Sequence, residues 1–339
     1  MDPAGFCTET RVVIVAGKGG VGKTTVSAAL ARMAALAGLT TLIVEVEGKS
    51  GLAATFGRTE ALTYHETVLE EGTGRDGEGQ VRARTLTPDD ALVEYLEDRG
   101  MGRLSRRLLS SGAIDVVATA APGMKDILVL GKVKQLERAS VAGGSGDPDR
   151  PQPDLIVVDA PAAGHAVTFL TSAHGLLDAV RVGPIRAQAQ DVIDLLTDPA
   201  RCQVLLVTLA EETPVNEVVE TAYRLEDRVG VSLGPVVVNG LYPEIEGLDV
   251  DPTEAADAAG VHLRPGEAEA LRAAAEFRIG RSALHTHQLE RLNRALPLPQ
   301  LHLPFLFANE VDRDGLETLA RALADQVRAL PGDPVATPR

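Results

Sequence analysis

Residues 11–25 read RVVIVAGKGGVGKTT, and they are followed by an Ala- and Leu-rich stretch, Val26 to Ala37, with helical spacing. A short apolar run, a glycine-rich loop and a stretch of helical spacing in that order predict strand, loop and helix. Gly17-Lys18-Gly19-Gly20-Val21-Gly22-Lys23-Thr24-Thr25 satisfies G-x-x-x-x-G-K-[ST] in the setting that motif needs. Glycines allow backbone N–H groups to turn inward around phosphates, and the helix start offers free donors and a positive dipole end. Lys23 is then expected to neutralise β and γ oxygens, Thr24 to offer a hydroxyl to Mg²⁺, and Thr25 to make a secondary phosphate contact. The same residues also spell G-x-G-x-x-G, with Glu45 near the end of the next strand, where a dinucleotide fold carries its ribose-binding acid. That alternative leaves Lys23 and Thr24 without a task, whereas a metal-bound triphosphate uses both.

Working outward, Gly38 is a helix stop and Thr40 to Val46 (TTLIVEV) a second strand, so the chain opens on a βαβ unit with parallel strands. LIVVD ending at Asp159, QVLLVTL ending at Leu209 and GPVVVN ending at Asn239 are further buried-type strands. Their helix-length spacing predicts an α/β fold with a doubly wound, mostly parallel sheet. Glu70 to Gln80 and Val141 to Pro153 are rich in Gly, Pro and acid and are expected to be exposed loops. The largely helical stretch 88–140 is expected to be an inserted subdomain within a core of 1–87 and 151–330. The tail 331–339 is expected to fray.

Composition narrows the classes. Of 339 residues, 45% are hydrophobic and 24% charged, which is ordinary soluble usage. Aromatics are 3% with no Trp, so platforms for stacking single-stranded nucleic acid are scarce. A net charge of −15 repels phosphate backbones and anionic membranes, so a nucleotide must be held locally. Cys7 and Cys202 form neither a disulfide framework nor a C-x-x-C pair. With no basic, then apolar, leader and no run of about 18 apolar residues, the cytoplasm is the expected address. His285 and His287 would point to different faces of a helix and make a poor metal pair.

An ordinary P-loop does not need Lys18. A loop of the form KGGVGKT resembles the deviant Walker A of the SIMIBI class of ATPases, which includes nitrogenase iron protein, the MinD and ParA proteins and the ArsA family. That resemblance implies that Lys18 crosses a dimer interface to the partner's nucleotide. Asp159, at the end of LIVVD, is placed to hold Mg²⁺ through a water as a Walker B acid. The following Gly164-His165 is similar to the second switch of the ArsA family, D-T-A-P-T-G-H, with the small residues and Pro in a different order. Glu45 and Glu47 share one face of their strand, and one of them should position the attacking water. In ArsA proteins and their tail-anchored-protein targeting relatives an Asp-Pro-Ala precedes a Phe-Gly. Counting back from Phe56-Gly57 puts Glu47 on that aspartate, with Glu-Gly replacing Asp-Pro. An extra methylene moves a carboxylate by about 1.5 Å, and a misplacement near 1 Å can cost on the order of 10²-fold in rate. Slow hydrolysis is therefore one expectation.

Asn239 and the segment Pro304-Phe305-Leu306-Phe307 resemble the two places where this family holds adenine: an amide that pairs with the base edge and a backbone clamp. The Phe305 and Phe307 rings are expected in the core. Ala121-Pro122-Gly123-Met124-Lys125-Asp126 is similar to the P-G-I-D-E-A element of the same proteins. In the targeting relatives the insert forms a Met-rich groove for a client helix. Here it has Met101 and Met124 beside Leu104, Leu108, Leu109, Ile127, Leu128 and Leu130, spacing typical of plain core. Neither cysteine lies in the insert, which disfavours metalloid pumping, and no intersubunit zinc pair is present. The V-E-V-E-G switch is similar to that of actinobacterial ArsA-like ATPases, some of which work as paralogous pairs.

The resemblance implies an ATPase that uses ATP and Mg²⁺ and closes as a homodimer, or as a heterodimer with a paralogous ATPase. It would act on an unknown protein client, without nucleic acid and with at most indirect membrane contact. Lys18, Lys23 and Glu47 would be its catalytic residues. The alternative is a nucleotide-dependent chaperone or binding module for hydrophobic segments, with slow hydrolysis. A regulatory ATPase of the ParA or MinD type ranks last, for want of a basic patch or an amphipathic anchor.

Overall fold

A computed structural model describes residues 1–46, 51–72, 74, 77–98, 100, 123–142, 151–181 and 183–331. Their helices are α1 (Pro3–Thr8), α2 (Lys23–Leu36), α3 (Gly51–Thr55), α4 (Pro88–Asp98), α5 (Met124–Ala142), α6 (Ala163–Ala179), α7 (Pro184–Leu196), α8 (Glu212–Val229), α9 (Pro252–Ala259), α10 (Glu267–Ala295) and α11 (Arg313–Ala329). The strands are β1 (Val12–Gly17), β2 (Thr40–Val46), β3 (Thr67–Glu71), β4 (Gln80–Leu86), β5 (Leu155–Ala162), β6 (Cys202–Leu209), β7 (Ser232–Leu233), β8 (Val236–Leu241) and β9 (Gln300–Pro304). They form one sheet in the order β3-β4-β2-β5-β1-β6-β8-β9, with β7 beside β6. All pairings are parallel except β3 with β4.

The central strands read as unbroken apolar runs because helices cover both faces of the sheet. The period of two sorts β1 cleanly: Val12, Ile14 and Ala16 enter one apolar layer with α5, α6, α7 and α8, and Val13 and Val15 enter the other with α2 and α11. Alanines 28, 29, 31, 34 and 35 of α2 are buried, which suits a helix held between the sheet and α11. α11 is more ordinary: Leu316, Leu319, Ala320, Leu323 and Val327 bury one stripe.

The stretch expected as an exposed loop from Glu70 to Gln80 is the turn of a hairpin whose ends are strand. Glu70 lies in β3 and is buried, accepting from Arg32 and from Arg313 (2.5 Å). Its burial follows from two arginines that sequence spacing does not bring near. Within 88–140, α4 and α5 are helical, and Ile127, Val129, Leu130 and Val133 of α5 share the core of the sheet. Met101, Leu104, Leu108, Leu109, Ala121 and Pro122 lie outside the described residues. A feature absent from the expectations is the long excursion between β8 and β9, carrying the 29-residue α10, of which only Arg278, His285, Gln288 and Leu292 are buried. Among the described residues no helix is long and apolar enough to cross a membrane.

Candidate functional site

The loop joining β1 to α2 stands at the carboxyl end of the sheet, between the ends of β5 and β6, where ligands bind in open α/β folds. Two of its glycines are required by contact. A Cβ on Gly17 would lie 2.4 Å from the Val207 carbonyl oxygen, and one on Gly22 would lie 2.3 Å from Asn239 Nδ2, at φ +90°. Gly19 and Gly20 are exposed at the turn, and Val21 is buried beneath it. No side chain caps the start of α2, so its first N–H groups face the loop's concave side available to an anion.

Lys23 is buried to 7% exposure, and its Nζ donates to the Lys18 carbonyl at 3.1 Å, curling back over the loop. Thr24 Oγ1 donates to Asp159 Oδ2 at 2.6 Å, although the two are 135 residues apart. Asp159 has no exposure and stands in register with Val15 of β1 and Glu45 of β2. Thr25 follows in the first turn of α2. An ammonium, free helix amides, a hydroxyl and a carboxylate converging on a glycine cradle could hold a triphosphate with a hard, oxygen-seeking divalent cation.

Glu45 extends this row inward. It is 1% exposed, in register with Asp159 on one side and Thr85 on the other, and accepts from Thr85 Oγ1 at 2.8 Å. Its sequence signals were two acids two residues apart at a strand's carboxyl end and its place downstream of the G-x-G-x-x-G reading. Glu47 lies outside the described residues, as does the side chain of His165; the backbone of Gly164 and His165 opens α6.

Lys18 turns the other way. Its Nζ donates to Glu217 Oε1 of α8 at 2.7 Å, on the β6 side of the loop. Asn239, in the carboxyl half of β8, donates from Nδ2 to the Val21 carbonyl at 3.0 Å, so its amide braces the loop and leaves the carbonyl end for another partner. Pro304 pairs with Leu241, and Phe305 N donates to the Leu241 carbonyl at 2.7 Å, bringing the β9 end beside Gly240. The rings of Phe305 and Phe307, expected in the core, are instead 39% and 68% exposed. They pack on Tyr242, with the Arg278 guanidinium 4.4 Å over the Tyr242 ring and 5.1 Å over that of Phe307. The alternation that buries Leu301 and Leu303 stops at Pro304, where the strand ends. Cys7 and Cys202 are buried away from the loop in α1 and at the start of β6, and burial pushes both thiols up to about 12.

The fold, with this loop between β1 and α2, defines a P-loop ATPase. A family model described as anion-transporting ATPase, ArsA type, matches residues 10–183, and the chain belongs to that family. It is 33% identical over 333 residues to the ATPase BagA of Mycobacterium tuberculosis, covering 93% of each chain. It is also 26% identical over 293 residues to an arsenical pump-driving ATPase of Escherichia coli, covering 80% of this chain and 45% of that protein. The protein is therefore an ATPase.

Proposed function

We propose that this ATPase binds Mg-ATP at the β1–α2 loop and closes as a dimer around it, in a homodimer or with a paralogous chain. The observation that carries the nucleotide site is the contact of Thr24 with the buried Asp159 beside the buried Lys23. Lys23 and the loop amides hold the β and γ phosphates, and Gly17, Gly19, Gly20, Val21, Gly22 and Thr25 form the cradle. Thr24 and Asp159 would hold Mg²⁺, whose bound charge spreads the negative charge of the triphosphate as the γ-phosphate leaves. Asn239 reads the adenine edge through its carbonyl oxygen, and the backbone at Pro304 and Phe305 closes over the base. Lys18 reaches the partner's nucleotide, and Glu47 orients the attacking water.

Closure is coupled to the region 88–140, which meets a protein client or partner. An apolar cavity of about 180 Å³ between α4, α5 and α7, lined by Leu92, Tyr95, Leu96, Met124, Ile127 and Ile185, favours the second reading, a nucleotide-dependent binding module for hydrophobic segments. Changing Asp159→Asn tests the shared core of both. Asn keeps the volume and the hydrogen bond from Thr24, so the fold should persist. Nucleotide should then bind with little dependence on Mg²⁺, and turnover should fall about 10²-fold. Unchanged Mg²⁺ dependence of binding would remove Asp159 from the metal site. Retention of an apolar helical peptide by ATP-loaded protein without turnover would favour the second reading.

A further inference from the structure

The two lysines of the loop are aimed at different places. Lys23 is buried and donates to a carbonyl inside the loop, on the side that holds Thr24 and Asp159. Lys18 leaves on the β6 side, where its ammonium meets Glu217, and both side chains are well exposed, at 40% and 37%. The carboxylate sits on a braced support: Arg281 donates to Glu211 at 3.0 Å, Arg291 donates to Asn216, and the Tyr223 hydroxyl donates to the Ala295 carbonyl at 3.0 Å, all tying α8 to α10. Lys18, by contrast, is flanked by Gly17, Gly19 and Gly20. A movable cation is thus held by a fixed anion of the same chain.

We infer that Glu217 is a positioning residue: it holds Lys18 off the chain's own phosphate cradle and keeps it turned outward until a triphosphate bound by a second copy takes the ammonium. The inference rests on the dimeric reading above. An exposed ion pair shifts an equilibrium by up to about fivefold, which is about 1 kcal/mol. That is enough to set a resting direction. A triphosphate in a closed, drier site presents more negative charge at lower dielectric, so exchange runs towards it. Glu217 is therefore a competitor that assembly must displace.

Two measurements on the full chain test this, with Glu217→Gln and Glu217→Asp beside wild type. In the first, dilute nucleotide-free protein is acylated with a water-soluble amine reagent, and modification of each lysine is followed by mass spectrometry. Glu217→Gln should raise the rate at Lys18 several-fold with the other lysines unchanged, and Glu217→Asp should restore much of the protection. Equal rates in wild type and Glu217→Gln would overturn the hold. In the second, sedimentation with Mg²⁺ and a non-hydrolysable ATP analogue reports association. Glu217→Gln should associate more tightly than wild type, by up to about fivefold for each pair displaced. Weaker association of the variant would overturn the inference, making Glu217 an interface contact. Wild type that stays monomeric with the analogue would sink the dimeric reading and the hand-over with it, while the labelling result would still decide whether Glu217 holds Lys18.

Discussion

The two flanks of the phosphate loop are built from the same kinds of groups and treated in opposite ways. On the β5 flank, Lys23, Thr24, Asp159 and Glu45 are packed into the sheet's end, with the two acids at 1% exposure or less. On the β6 flank, Lys18 and Glu217 form a pair with more than a third of each side chain in solvent. Burial turns the first set into fixed geometry, because a charged group without its partner there is costly to leave. Exposure leaves the second set exchangeable, because water replaces either partner cheaply. The loop thus combines a rigid seat with a movable arm.

The largest expected effect tests the rigid flank. Lys23→Ala should lower ATP turnover by about 10²- to 10³-fold, read as phosphate release, because on the proposed reading it removes a positioned cation from the site where charge develops. Retention of more than a tenth of the wild-type rate would mean that the buried flank is not where phosphate is handled.

The next pair of variants makes the same chemical deletion in the two environments. Glu70→Ala leaves the buried Arg32 with Glu317 (2.6 Å) as its remaining carboxylate, since the Glu70 side chain is 3% and that of Arg32 8% exposed, and should cost about 1–3 kcal/mol in urea denaturation. Glu217→Ala should cost about 0–1 kcal/mol in the same assay. Similar costs for the two would erase the distinction between fixed and exchangeable charges.

A smaller effect is expected at the base end. Asn239→Ala removes the brace on Val21 and, on the proposed reading, the base contact, and should weaken binding of an adenine nucleotide about three- to tenfold, read by equilibrium titration. An unchanged affinity would confine recognition to the phosphates.

The smallest effect is expected at His302 of β9, which stands in register with Val238 of β8. Burial holds the pKa of His302 below its usual 6.5. The unfolded chain therefore takes up the proton first, so this contribution to stability is complete above pH 6.5 and is lost as pH falls through that value towards the folded pKa. The melting temperature should drop between about pH 7.5 and about pH 5.5. It should drop less in His302→Gln.

What could be read in the chain depended on sequence distance. The loop was legible because its glycines, Lys23 and Thr24 are contiguous and each has a separate chemical reason. Asp159 and Asn239 were legible because apolar runs that end in a polar residue place that residue at the sheet's carboxyl edge. Glu70 was misread as loop because its partners, Arg32 and Arg313, lie 38 and 243 residues away. Phe305 and Phe307 were expected in the core because aromatic residues near a strand usually are buried. The β9 strand ends before them, and their rings gather on Tyr242 instead.

By itself, then, the sequence determined the α/β class, the phosphate loop and the strand ends that carry Asp159 and Asn239, since local periodicity and a contiguous motif suffice for those. The tertiary structure decided which charges are fixed and which can be exchanged: Glu45 locked beside Asp159, and Lys18 turned to a carboxylate 199 residues away. Burial and long-range pairing are properties of neighbours in space, and no spacing along the chain encodes them.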